Sequence, residues 1–264
     1  MRALTISISA GLLLLGGSSV AWTAAAPAAK VAAHPATSIA AAVANPDRDP
    51  ANVKLDESRK PAEVLTFLGL KRGMHVLDLF GANRYWAEIM VPVIGPKGSY
   101  TVWEPTQFYN DKGKAAFEAF EAKNASVNIV VSPFETHTLP KNFADFVILN
   151  ENYHDNYWQN AKLGIPKMDP AAFLRDVYAA MKPNAVIGVI DHVASPNSDT
   201  RATVDKYHRI DPNVVKADFK RAGFVFVGSS DILRNRADDH SLPVFDPKIR
   251  GHTDRFIFKF KKPA

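Results

Sequence analysis

No cysteine occurs in the 264 residues of the chain. That excludes disulfide staples, thiolate nucleophiles, cysteine metal ligands and a lipid-modified cysteine. A small disulfide-stapled secreted domain is thereby ruled out, whereas a disulfide-free periplasmic protein is not. Beyond residue 25 no uninterrupted apolar run is long enough to span a bilayer. The 32 Lys and Arg against 27 Asp and Glu leave a net charge of +5, scattered except for Lys259, Lys261 and Lys262. There is no basic stripe with interleaved aromatics, so nucleic acid is not an expected partner. Glycine is scarce at one informative place: the turn from Phe80 to Arg84 holds only Gly81.

The N-terminus has the form of a secretory signal. Arg2 is the only charge before Lys30, a leucine-rich stretch follows, and Thr23-Ala24-Ala25 supplies small residues for cleavage. Residues 1–25 are expected to be removed, leaving a soluble periplasmic protein with no membrane span; retention as an anchor is the alternative. Residues 26–52, rich in Ala and Pro, read as a flexible leader. Residues 53–264 then suffice for one domain.

Strands and helices alternate along this domain. Val76-Leu77-Asp78-Leu79 fits a strand buried on both faces, and Asn83 onward fits the helix after it. Further strands are expected at Ser99–Trp103, Val127–Val131, Phe143–Leu149, Ala185–Val193 and Phe224–Val227. Asp169-Pro170 and Asp211-Pro212 each open a helix, proline being suited to a first turn. The last strand places Phe256, Phe258 and Phe260 on one face, with Ile257 the exception on the other. Such alternation demands a mostly parallel sheet with right-handed crossovers. Two final strands without an intervening helix imply one reversed strand. The expected fold is a single doubly wound, seven-stranded α/β domain.

Six short segments in order, Arg59-Lys60-Pro61, Val76-Leu77-Asp78-Leu79, Tyr153-His154-Asp155, Asp191-His192, His208-Arg209-Ile210-Asp211 and Arg250 through Phe256, resemble a family of exported bacterial methyltransferases. That family has the class I S-adenosylmethionine (SAM)-dependent fold, and the likeness covers residues 57–262. It implies SAM as cofactor, held by Asp78, a turn built on Gly81 and Asn83, Glu104 and Asn150. In the family pattern alternating glycines follow the acidic residue; the matching positions here are Phe80, Ala82 and Arg84. Glu104, closing the second strand, stands where a carboxylate accepts ribose hydroxyls, with Trp103 or Phe108 against the adenine.

The polar and aromatic run Asn150 to Trp158 follows a buried strand, which suits a site wall. His154 is a candidate general base and Asp155 its orienting partner. Asp191 and His192 end the neighbouring strand, so the four should share a pocket, with His208 and Arg209 as further catalytic candidates. Asp211 also reads as a plain helix cap. Three histidines with carboxylates admit a metal, but none stands in a tight ligand motif. Salt-bridged structure is the preferred reading of Asp238, Asp239 and His240 with Arg250, Asp254 and Arg255.

The expected function is methyl transfer from SAM to a small molecule. A SAM-independent lyase or hydrolase, or a non-catalytic periplasmic binding protein, is the alternative. Neither substrate nor oligomeric state is legible.

Overall fold

In the computed structural model, residues 38–196 and 199–264 are described. The expected signal segment lies outside them. The described residues open with four short helices, α1 (Ile39–Val43), α2 (Pro50–Val53), α3 (Asp56–Arg59) and α4 (Pro61–Leu68). Three of these fall on or beside the stretch expected to be a flexible leader, and that expectation is corrected here. Ala42 is fully buried, and the Arg48 guanidinium donates to Val43 O at 2.8 Å and pairs with Asp56 at 2.6 Å. The Ala-rich composition hid a packed element, because its burial depends on distant partners. The folded domain therefore includes Ser38, whose hydroxyl caps α1 by accepting from Ala41 N.

The alternation that follows is β1 (His75–Leu79), α5 (Tyr85–Ile94), β2 (Ser99–Pro105), α6 (Asp111–Lys123), β3 (Val127–Ser132) and β4 (Ala144–Asn150). A 3-10 turn over Tyr153–Tyr157 and a second over Ala161–Leu163 lead to α7 (Pro170–Ala180) and β5 (Met181–His192). Then come α8 (Thr200–Tyr207), α9 (Pro212–Arg221), β6 (Val225–Ser230) and β7 (Arg255–Lys261). Asp49, Asp169 and Asp211, each before a proline, cap α2, α7 and α9 through their carboxylates. Gly69, at φ 87°, stops α4 as expected.

One seven-stranded sheet results, in the order β3-β2-β1-β4-β5-β7-β6. All neighbours are parallel except β7, antiparallel to both β5 and β6. Each face carries a core. Phe256, Phe258 and Phe260 join Phe173, Val177 and Phe219 of α7 and α9 on one side. Ile257 joins Val64, Ile89 and Met90 of α4 and α5 on the other. The alternation exception at Ile257 is thus the second core's residue. β5 starts at Met181 rather than Ala185, the extra residues being absorbed where its pairing with β4 shifts register.

Between β1 and β4 the order of connection reverses. Ligands of open α/β sheets bind at this switch point, beyond the strands' carboxyl ends. No helix among the described residues is long and apolar enough to cross a membrane.

Candidate active site

A cleft of about 670 Å³ opens over that edge, and the carboxyl ends of β1, β2, β4 and β5 all contribute to it. This volume lies within the usual range for small-molecule pockets. Its two halves differ in chemistry. Ala82, Asn83, Glu104 and Phe108 line one; His154, Trp158, His192 and His208 line the other, with Asn150 and Asn152 between.

The turn after β1 departs from expectation. Gly81 and Asn83 were to supply the left-handed backbone; instead Phe80 (φ 64°) and Arg84 (φ 67°) do. Both adopt the left-handed backbone without glycine, the residue that eases it. Gly81 has another function: a Cβ there would overlap the Asp78 carboxylate. The Phe80 ring turns down, edge-on to Trp103 at 5.2 Å and to Phe134 at 5.5 Å. Asn83 accepts from Tyr85 N at 3.0 Å, closing the start of α5. Arg84→Gly is expected to stabilise the fold by about 1 kcal/mol through relief of the left-handed strain. The Arg84 contacts to Asp49 at 3.4 Å and Glu88 at 3.9 Å are long, and such pairs contribute little. Denaturant unfolding measures the change; a loss of stability would refute the strain argument.

Asp78 does not line the cleft. It lies behind the turn, accepting from the Tyr100 hydroxyl at 2.5 Å. Burial raises it to about 7, helped by Glu104 and opposed by Tyr100 and Arg59. Trp103 is likewise a core residue, its indole N–H donating to Ser132 at 2.9 Å, and Phe108 is the aromatic that reaches the cleft. Glu104 does face the cleft. Its Oε2 accepts from Ala82 N at 3.0 Å, while Oε1 has no donor among the described residues. Burial raises this carboxyl to about 7, against the Ala82 N–H. An open carboxylate oxygen beside a backbone turn in the glycine conformation fits a ribose and the chain that follows it. Glu104, Asn83, Asn150 and Phe108 all line the cleft around that oxygen.

In the other half, His154 Nδ1 lies 2.7 Å from Asp191 Oδ1. Asp191, fully buried at the end of β5, also accepts from the backbone N–H groups of His154 at 2.9 Å and His192 at 2.7 Å. His154 Nε2 is 3.5 Å from Asp155 Oδ1, and Asn152 donates to the other Asp155 oxygen at 2.9 Å. Burial works against a charge on His154, but Asp191 and Asp155 outweigh it and raise the ring to about 9. His154 is therefore a held cation at neutral pH, not a free base. His192 and His208 are the reverse. Burial lowers both to about 4, with the His154 charge adding to the shift, although Glu151 and Asp191 pull His192 the other way. His192 Nδ1 is fixed by Thr253 Oγ1 at 2.7 Å. The His208 ring has no hydrogen-bond partner among the described residues and sits 5.7 Å from His154.

The expected neighbours His154, Asp155, Asp191 and His192 do come together, and His208 joins them. Arg209 does not. It is fully buried away from the cleft, donating to Leu242 O and Val193 O and paired with Asp238 at 2.9 Å. Asp211 is a helix cap. No group of three or more metal-ligating side chains is found among the described residues. Glu151 lines the cleft as part of the expected wall, whereas sequence reasoning missed Arg59 and Phe245 as lining residues. Arg255 at 2.6 Å and Arg59 at 3.6 Å flank Glu151. Burial would raise that carboxyl, but the neighbouring His192, Arg59 and Arg255 hold it at about 2. Glu151 and His208 also have positive φ, 60° and 52°. Such strain clusters where surrounding structure dictates side-chain aim.

No family model matches the chain, and no curated protein does. Solved structures do. A SAM-dependent methyltransferase from Aquifex aeolicus is similar at TM-score 0.54 and 18% identity, over 81% of this chain and 93% of that one. A Burkholderia thailandensis 1,6-didemethyltoxoflavin-N1-methyltransferase with bound S-adenosylhomocysteine gives 0.52 and 13%, over 81% and 80%. The [4+2]-cyclase SpnF gives 0.56 and 14%, over 89% and 88%. At such identities the likeness is one of fold: the chain has the SAM-methyltransferase-type α/β fold, and its reaction has to be argued from its own cleft.

Proposed function

We propose that the chain is a SAM-dependent enzyme that methylates a small molecule. One observation carries this reading: a single cleft joins the open Glu104 carboxylate to the histidine cluster. Bound SAM would supply an electrophilic methyl group. Glu104 would accept the ribose hydroxyls, and Asn83 and Asn150 would position the rest of the donor. Across the cleft, the neutral His192 or His208 takes the acceptor's proton. In the tautomer whose Nδ1–H donates to Thr253 Oγ1, Nε2 of His192 is the accepting atom. His154, held as a cation, orients the acceptor and lowers the cost of negative charge on it. Most of the gain comes from alignment, which can lower a two-reactant barrier by about 7–11 kcal/mol.

The second reading, a SAM-independent lyase or hydrolase, is favoured by Phe80 and Arg84 standing in place of glycines. The N-terminal sequence supports export to the periplasm and removal of residues 1–25.

Calorimetric titration with SAM and with S-adenosylhomocysteine tests the proposal. Binding of both at micromolar to sub-millimolar ligand is expected. No heat and no thermal shift at millimolar concentrations would transfer the case to the SAM-independent reading.

A further inference from the structure

The histidine half of the cleft has aromatic walls. Trp158 and Phe245 each lie 4.9 Å from the His208 ring, at 62° and 65° to it. Phe245 is 58% exposed, the largest exposure among the large apolar side chains. Its backbone is not loose, because Val244 beside it is buried and donates from its N–H to Tyr207 O at 3.1 Å at the end of α8. The fold thus holds an apolar ring toward the cleft at a cost of about 25 cal/mol per Å² of apolar surface left in water. An occupant that covers the ring recovers that cost.

Charge narrows the chemistry further. His154 is already matched by Asp191 and Asp155, and Glu151 by Arg59 and Arg255. Among the described residues these three cations and three carboxylates cancel in sum, leaving no net charge to attract an ionic group, whereas His192 Nε2 and the His208 ring have no protein hydrogen-bond partner. We propose that this subsite takes an uncharged, planar aromatic hydroxy compound. Its ring packs against Phe245 and Trp158, and its hydroxyl donates to His192 or His208. The inference rests on the histidine half being the acceptor side, and is independent of whether SAM fills the other half.

The test is calorimetry of the mature protein with 2-naphthol, decahydro-2-naphthol and naphthalene-2-sulfonate, each with and without S-adenosylhomocysteine. The naphthol is expected to bind at least tenfold tighter than its saturated analogue and than the sulfonate. Phe245→Ala should weaken it at least fivefold, and Phe245→Trp should retain it; both changes are at an exposed position and spare the fold. Equal affinity for the saturated alcohol, preference for the sulfonate, an indifferent Phe245→Ala, or no naphthol binding in either condition would overturn the proposal. Naphthol binding without any SAM binding would leave it standing and remove the methyl-transfer reading. SAM binding without naphthol binding would do the opposite.

Discussion

Asp191→Asn is expected to destabilise the protein by about 3–5 kcal/mol, the usual cost of leaving one member of a buried ion pair uncompensated. The carboxylate accepts from the His154 ring and from two backbone N–H groups. An amide can keep only part of that set, and it leaves the His154 charge to Asp155 and, more weakly, Glu151. Unfolding in urea measures the loss, and the histidine's own titration identifies its source. Asp191 and Asp155 raise the wild-type ring to about 9 against burial, and in the variant burial should carry it below its ordinary value of about 6.5.

The pH dependence follows with a definite sign. A histidine raised in the folded state contributes its full stabilisation below the unfolded value of about 6.5 and loses it as pH climbs through the folded one. Between pH 6.5 and 9 the wild type should therefore lose stability, on the order of 3 kcal/mol, that the variant no longer has to lose. His192 and His208 act in the other direction. Both are lowered to about 4, so the unfolded chain takes up their protons first and stability falls with acidification from about 6.5. Comparing the two proteins across the alkaline range isolates His154. A parallel pair of curves would mean that Asp191 does not hold its charge.

Much of this arrangement is legible in the sequence because local chemistry and tertiary position agree there. Val76 to Leu79 reads as a strand covered on both faces, and Val76, Leu77 and Leu79 are buried in two different cores. Asp169-Pro170 and Asp211-Pro212 open helices for reasons that need only neighbouring atoms. The convergence of His154 and His192 follows from strand order, since β4 and β5 pair directly. What stays hidden depends on distant partners. Neighbouring Asp155 hints at a charge on His154, but the carboxylate that contributes most to it, Asp191, is 37 positions away. Phe245, one phenylalanine in a charged loop, has no periodicity to mark it. The rule that glycine or asparagine takes positive φ points to Gly81 and Asn83, yet Phe80 and Arg84 take it. Aromatic packing of Phe80 on Trp103 and Phe134 contributes enough to offset an intrinsic preference of about 1–2 kcal/mol.

The open Glu104 carboxylate makes its half of the cleft testable on its own. Glu104→Ala is expected to weaken SAM and S-adenosylhomocysteine about 10–100-fold, corresponding to the 1.5–3 kcal/mol typical of hydrogen bonds to a charged acceptor. The ribose would lose its acceptor, and Ala82 N would lose its side-chain partner among the described residues. Glu104→Gln should fall between, since an amide oxygen still accepts one bond. Burial lifts the Glu104 carboxyl to about 7 in the free protein, so a ligand that needs the carboxylate must first displace a proton below that pH. Affinity should therefore drop about tenfold per pH unit below 7 and level off above it. In Glu104→Gln this slope should flatten while the fold remains intact. S-adenosylhomocysteine binding that ignores both the substitution and pH would remove Glu104 from the site, and with it the ribose contact on which the SAM reading depends.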